Sequence, residues 1–296
     1  MQTKSQIREL LAAAGVMPKR KFGQHFLVDL NLVRLLIDAA KIRSDDVVLE
    51  VGCGTGSMTQ LLAERAGAVV TVEIDRTLAG IAGAQLAGLD NVELVGSDAL
   101  SNKGALNPLV VDALDRARGT NPGRLLLVAN LPYDVASALM VNLVKGPVVA
   151  DEMVVTVQKE VADRMEARPG GKGYGGLSIF LAVTGCAETL RVLKPSVFWP
   201  PPGVDSAIVH FVRDEARCRQ IEDMALFSDV VGLFIGHRRK MLRACAKHAG
   251  DSLGDRDLWM GLFEACRIDP SQRPESLAPD QYVALANLSA RHLPKR

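Results

Sequence analysis

Glu50-Val51-Gly52-Cys53-Gly54-Thr55-Gly56 is the stretch whose reading decides the fold. It lies where an apolar run, Val47 to Val51, gives way to a helical pattern from Gly56 to Arg65. Glycines at such a turn let the backbone approach a ligand closely. The spacing is G-x-G-x-G, not the G-x-G-x-x-G of dinucleotide-binding turns, and an acid precedes it. Downstream the alternation repeats. Strands are expected at Val69 to Ile74, Val92 to Val95, Leu125 to Ala129 and Met153 to Val157. Helices are expected at Arg76 to Leu86, Asn107 to Arg118, Val135 to Leu143 and Lys159 to Glu166. This order predicts an α/β fold, a parallel sheet covered by helices on both faces.

Three further features fall at strand exits, the edge where open α/β sheets bind ligands. Glu73 closes the second strand about twenty residues after Gly52, where a carboxylate holds a ribose diol. Asp98 follows the third strand. Asn130-Leu131-Pro132-Tyr133 follows the fourth, and these residues suit a flat, amine-bearing ligand better than they suit packing. The glycine loop with its acids resembles that of S-adenosylmethionine-dependent methyltransferases, in a Rossmann-like class I sheet. In that family the third-strand acid binds the cofactor's adenine amine. An adenine amine is a weak nucleophile because its lone pair is delocalised into the ring. The side-chain oxygen of Asn130 and the main-chain oxygen of Leu131 can accept its hydrogens and localise that pair. Pro132 fixes the turn and Tyr133 offers a stacking face.

The chain has 296 residues, 48% hydrophobic and 23% charged, with a net charge of +1. That suits one large domain and a smaller one. No apolar run reaches the roughly 18 residues of a membrane span. The N-terminus lacks a signal-peptide core, so a cytoplasmic protein without membrane association is expected. Five scattered cysteines without a C-x-x-C pair argue against a disulfide framework and against a metal site. Basic residues cluster at Lys19-Arg20-Lys21 and between His237 and His248, which favours a polynucleotide partner.

Residues 1–30 read as an amphipathic helix, Ser5 to Gly15, followed by an ordered basic segment. Residues 31–214 form the cofactor-binding domain, ending in strands at Thr189 to Leu193 and Ile208 to Val212 around a stiff Pro200-Pro201-Pro202 segment. Gly170 to Gly176 reads as a flexible loop. Residues 215–296 carry only helical patterns: Cys218 to Lys247 broken near Gly236, Asp257 to Cys266, and Pro279 to Ala290. They form a smaller, all-helical RNA-binding domain.

Taken together, the chain resembles the KsgA-type ribosomal RNA adenine dimethyltransferases of the small subunit from Pro18 to Leu288. The likeness rests on Lys21-Phe22-Gly23-Gln24-His25-Phe26-Leu27, Glu50-Val51-Gly52, Val72-Glu73-Ile74-Asp75, Asn130-Leu131-Pro132-Tyr133, Gln158-Lys159-Glu160-Val161, Pro200 to Ala207, His237-Arg238-Arg239-Lys240 and Ile268-Asp269-Pro270. The resemblance implies dimethylation of two adjacent adenosines in the hairpin near the 3′ end of 16S rRNA, by a monomer acting on an immature small subunit. It implies cofactor contacts from His25, Leu27, Gly52, Glu73, Asp98 and Asn130, with Leu27 contributing mainly backbone. His25 stands where the family often has Asn, and Cys53 where many members have Pro. Two other readings stay open at this level: a resistance-type methylase acting on a 23S rRNA adenine, and an assembly factor whose methylation is incidental.

Overall fold

The computed structural model describes residues 2–19, 23–250 and 252–293. Two-thirds of the basic cluster Lys19-Arg20-Lys21, and Phe22 beside it, therefore lie outside the described residues. Seven strands form the main sheet: β1 Val47–Val51, β2 Ala68–Val72, β3 Val92–Val95, β4 Leu125–Asn130, β5 Glu152–Gln158, β6 Gly185–Leu193 and β7 Ser206–Arg213. Their order is β3-β2-β1-β4-β5-β7-β6. β1 to β5 are parallel, and all five residues of β1 are buried, as strands covered on both faces require.

β7 pairs antiparallel with β5, so the sheet is mixed where the alternation predicts a parallel one. The chain enters β7 from β6 without the helical crossover that a parallel arrangement needs. At the start of the strands the chain is tied down by charge. The Arg124 guanidinium meets Asp46 at 2.7 Å and Glu152 at 2.6 Å, and Glu152 also meets His210 at 2.6 Å. Asp46 is fully buried; burial raises its carboxyl, but Arg124 and two backbone N–H groups hold it below the usual range.

The helices follow their capping chemistry. α1 is Lys4–Ala13, opened by a Thr3–Gln6 capping box. α2, Leu30–Ala39, is capped by Asp29; α3 is Ser57–Ala63; α4, Arg76–Leu86, is capped by Asp75. α5, Pro108–Thr120, has Pro108 in its first turn, and α6 is Ala136–Lys145. A small ribbon, Leu100–Asn102 with Ala105–Leu106, is absent from the sequence reading because it is too short and exposed to show alternation.

The chain divides into two compact units, residues 1–162 with 188–212 and residues 163–187 with 213–296. The sequence reading places one break near Asp214; the compact units break also at 162/163 and 187/188. The second unit contains α7, Gly176–Thr184, whose apolar residues are nearly all buried. The expected Cys218 to Lys247 helix breaks after Gly236 as expected, and breaks a second time before Met224, giving Glu215–Cys218, Met224–Gly236 and Leu242–Cys245. Only the middle piece carries a long apolar stripe, Leu226, Phe227, Val230, Val231 and Phe234. Phe234 packs on Trp259 at 5.0 Å between ring centroids. The Gly170 to Gly176 loop is pinned: Tyr174 is buried and its hydroxyl donates to the Leu277 carbonyl at 2.8 Å. Among the described residues no helix is long and apolar enough to cross a membrane.

Candidate active site

The glycine loop leaves β1 in a conformation that side chains disfavour. Gly52, Gly54 and Gly56 have φ of 82°, 59° and 80°. Space is short as well. A Cβ on Gly52 would lie 3.0 Å from Pro132 Cγ, and one on Gly54 would lie 2.7 Å from Phe26 Cε1. The Gly52 N–H donates to the Val72 carbonyl at 2.8 Å, fastening the loop to β2.

Glu50 stands beneath this loop, 1% exposed. The hydroxyls of Thr59 on α3 and Thr71 on β2 donate to its Oε2, at 2.5 and 2.8 Å. Its Oε1 finds no partner among the described residues. Burial, with Glu73 nearby, pushes the Glu50 carboxyl from 4.5 up to about 7. Below pH 4.5 folded and unfolded chains both hold this proton, and the stabilisation is complete. As pH rises toward 7 the unfolded chain releases it first, so the stabilisation is lost. The shift from 4.5 to about 7 corresponds to roughly 3 kcal/mol. Glu50→Gln removes this source of pH dependence. Denaturant titrations at pH 5 and pH 8 are expected to show the stability difference between parent and variant changing by up to about 3 kcal/mol in the variant's favour at pH 8. An equal difference at both pH values would refute the assignment.

Glu73 follows β2 and is 5% exposed. Its Oε2 accepts the Gly54 N–H and its Oε1 the Asp75 N–H, each at 2.9 Å. Burial raises its carboxyl, and the two N–H groups pull it back. An ionised carboxylate has about four acceptor sites, so two remain for a diol. Asp98 is exposed at the next strand exit, with Oδ1 held by the Leu100 N–H at 3.0 Å.

At the exit of β4, Asn130 Nδ2 donates to the His25 carbonyl at 2.8 Å. That bond fixes the orientation of the amide, whose acceptor is Oδ1. The Leu131 N–H donates to the Thr156 carbonyl at 3.1 Å, and the Pro132 carbonyl accepts from Val135 at 3.3 Å. The loop is thereby fixed at both ends. The Tyr133 ring stacks on His25 with centroids 5.6 Å apart, and its hydroxyl shares a 2.7 Å hydrogen bond with Ser206. His25 Nδ1 donates to the Pro200 carbonyl at 2.7 Å. Phe26 and Leu27 pair antiparallel with Trp199 and Phe198.

These parts enclose one cavity of about 290 Å³, close to the lower end for small-molecule sites. All nine residues singled out from the sequence line it: His25, Leu27, Gly52, Glu73, Asp98, Asn130, Leu131, Pro132 and Tyr133. Sequence reasoning misses Phe26 as the lid on Gly54, Ser206 as the holder of Tyr133, and Thr59 and Thr71 beneath Glu50. Ser206 lies in a stretch singled out on family grounds, but only the fold brings it to Tyr133.

The family described as Ribosomal RNA adenine dimethylase matches residues 16–288. The chain is 39% identical to the Ribosomal RNA small subunit methyltransferase A of Moorella thermoacetica, over 94% of each chain. To the protein of that name from Bifidobacterium adolescentis it is 38% identical, over 95% of this chain and 92% of the relative. Among solved structures, a dimethyladenosine transferase from Plasmodium falciparum matches with a TM-score of 0.71 at 24% identity, covering 91% of this chain and 99% of that one. The 23S rRNA methyltransferase ErmE matches with a TM-score of 0.56 at 24% identity, covering 88% and 98%. At these identities the two structural likenesses speak for the fold, a class I methyltransferase sheet.

Proposed function

The chain belongs to the ribosomal RNA adenine dimethylase family, and from that premise we propose that it dimethylates two adjacent adenosines in the 3′-terminal hairpin of 16S rRNA, on an immature small subunit, using S-adenosylmethionine. Membership itself makes the chain an rRNA adenine dimethyltransferase. In this reading the enzyme works as a monomer in the cytoplasm.

The observation that carries the reading is the Asn130 amide, whose nitrogen is held by the His25 carbonyl while its oxygen is left to accept. The cavity also fits the methyl donor: a carboxylate with two spare acceptor positions faces it beside a glycine loop that a Cβ would obstruct. Glu73 would hold the ribose diol and Asp98 the donor's adenine amine. Gly52 and Leu27 would offer backbone, and His25 would close the site beside Tyr133. When bound, S-adenosylmethionine supplies an electrophilic methyl group on a sulfonium sulfur, which departs as a neutral thioether. Asn130 Oδ1 and the Leu131 carbonyl would accept the target amine's hydrogens, two in the first transfer to a base and the one that remains in the second, and so localise the lone pair and aim it in line. Tyr133, anchored by Ser206, presents a face to the flipped base. Held in this way, the amine nitrogen would take the methyl group as the donor's carbon–sulfur bond breaks, and the methylated nitrogen would release its proton to water. Catalysis is mainly positioning and exclusion of water.

Mass spectrometry of the 3′ fragment of 16S rRNA, from cells with and without the protein, tests the substrate. Two dimethyladenosines present only with the protein are expected. Modification of 23S rRNA instead would select the resistance-type reading.

The helical region, residues 215–296, is proposed to bind the RNA. Arg238, Arg239 and Lys240 are all exposed on one turn, with Arg243 and Lys247 exposed shortly after. Neutralising the first three with glutamine is expected to flatten the log–log salt dependence of RNA binding by about 2–3. An unchanged slope would mean that the turn faces solvent in the complex.

A further inference from the structure

Two histidines beside the basic turn lie face to face. The His237 and His248 rings are 4.2 Å apart between centroids and 5° from parallel. His237 follows the helix Met224–Gly236, and His248 ends the short turn Ala246–His248. Their hydrogen bonds fix both tautomers. A carbonyl can only accept, so His237 Nδ1 carries the proton that it gives to the Leu233 carbonyl at 2.8 Å. An ammonium can only donate, so His248 Nε2 accepts from the Lys240 ammonium at 2.7 Å, and the His248 ring is neutral. Desolvation, and then the charges of Lys240, His237 and Lys247, hold the His248 imidazole below the ordinary histidine range, in agreement with a neutral ring.

The pair stands on a packed base. Phe234, Leu242, Cys245 and Ala246, which flank the two histidines in sequence, are all buried. The Lys240 N–H donates to the His237 carbonyl at 2.8 Å. The N–H groups of Leu242 and Arg243 donate to the Gln272 and Pro270 carbonyls at 2.9 and 3.0 Å. The rings are thus held before any ligand arrives, so little freedom is lost on binding. His237 is half-buried, whereas His248 is exposed, as are Arg238, Arg239, Lys240, Arg243 and Lys247 around it.

A neutral ring among five cations adds no charge for a phosphate. What it adds is a flat face. Cations that track the backbone, combined with aromatic rings that carry the bases, are how proteins hold unpaired RNA. We propose that the His237–His248 stack is a platform for one unpaired RNA base, which lies on the face of His248 turned away from His237 while the surrounding basic residues hold its flanking phosphates. This base is a second one, separate from the adenine presented to Tyr133. Stacking accepts any base, so the platform contributes affinity and leaves the choice of sequence to other contacts. The proposal rests on the reading of residues 215–296 as the RNA-binding region.

Binding of the full-length protein to small subunits from cells lacking it is the first readout. His248→Ala is expected to weaken binding about five- to hundredfold, the range for one base on one ring. The log–log salt slope is expected to stay within about 0.3 of the parent's, where loss of a phosphate contact would flatten it by about 0.7–0.9. His248→Tyr keeps a ring and is expected to bind within about threefold of the parent. Equal thermal midpoints are expected, since the position is exposed. The second readout is a single-stranded oligoribonucleotide carrying one 2-aminopurine, whose fluorescence falls when the base stacks. It is titrated with proteins that also carry Tyr133→Ala, so that the target-base face does not contribute. Quenching is expected with His248 and with His248→Tyr, and its loss with His248→Ala. Parental affinity in the alanine variant, or a tyrosine variant as weak as the alanine one, would overturn the platform. A loss that flattens the slope by a full phosphate contact would also overturn it, making His248 a cationic contact. If subunit binding ignores neutralisation of Arg238, Arg239 and Lys240, the reading of this region as RNA-binding falls, and the 2-aminopurine contrast still judges the platform.

Discussion

An Asn130→Ala enzyme is expected to bind S-adenosylmethionine within a few-fold of the parent and to lose about 10²–10³ in kcat. The reasoning follows from the hydrogen bonds at the end of β4. The amide nitrogen donates to the His25 carbonyl, which fixes the amide's orientation, and the oxygen is its acceptor for a target amine. Alanine removes that acceptor. The adenine lone pair then stays delocalised and the base is free to tilt. Losses of this size are typical when one pre-oriented polar group facing a developing charge is deleted. The effect belongs in kcat because the interaction strengthens as the amine becomes cationic. Single-turnover methylation of small subunits, with cofactor affinity by calorimetry, separates the two quantities. Transfer at parental rate would refute the amine-orienting role. A matching collapse in cofactor affinity would instead place Asn130 chiefly in the donor site.

Glu73→Ala carries the second large effect, on binding. Each hydrogen bond from a ribose hydroxyl to an ionised carboxylate contributes roughly 1.5–3 kcal/mol, so losing two weakens the cofactor by about 10²–10⁴-fold. The N–H groups of Gly54 and Asp75 also lose their acceptor. Glu73→Gln controls for this: its amide oxygen still accepts one of these N–H groups, and its affinity is expected between those of parent and alanine variant. The alanine variant also tests the assembly reading. It is expected to sediment with immature subunits as the parent does, because the proposed RNA contacts lie in other segments. Loss of subunit binding together with cofactor binding would show that the two are not separable.

Much of this site is legible in the sequence because it is built from strand exits. An apolar run such as Leu125 to Ala129 announces a buried strand, and whatever follows it stands at the ligand-binding edge. Gly52, Glu73, Asp98 and Asn130 are found in that way, each from residues within its own segment. What escapes depends on which distant segments meet. Nothing local to Phe26 says that its ring covers Gly54, and nothing local to Ser206 says that it holds Tyr133. Asp75 is written as an ordinary helix cap; its contacts with Lys19 and Gln24 exist only once the fold brings those residues to the exit of β2. The helical region fails differently. From Cys218 to Lys247 the sequence suggests helix with a single break near Gly236, but only Met224–Gly236 has an apolar stripe long enough to bury. The glycines from 170 to 176 suggest mobility, while one buried tyrosine fixes the loop.

The near-contact between position 52 and the Pro132 ring has a consequence for how the reaction responds to its surroundings. The donor loop and the acceptor loop are spaced by backbone against a rigid ring. The three atoms nearest to a Cβ on Gly52, two Pro132 ring carbons and the Asn130 carbonyl oxygen, carry no ionisable group. In the proposed reading, acidity acts through the fold stability that Glu50 sets, and ionic strength through the basic turn. In that reading the spacing between donor and acceptor is set by a contact that carries no charge.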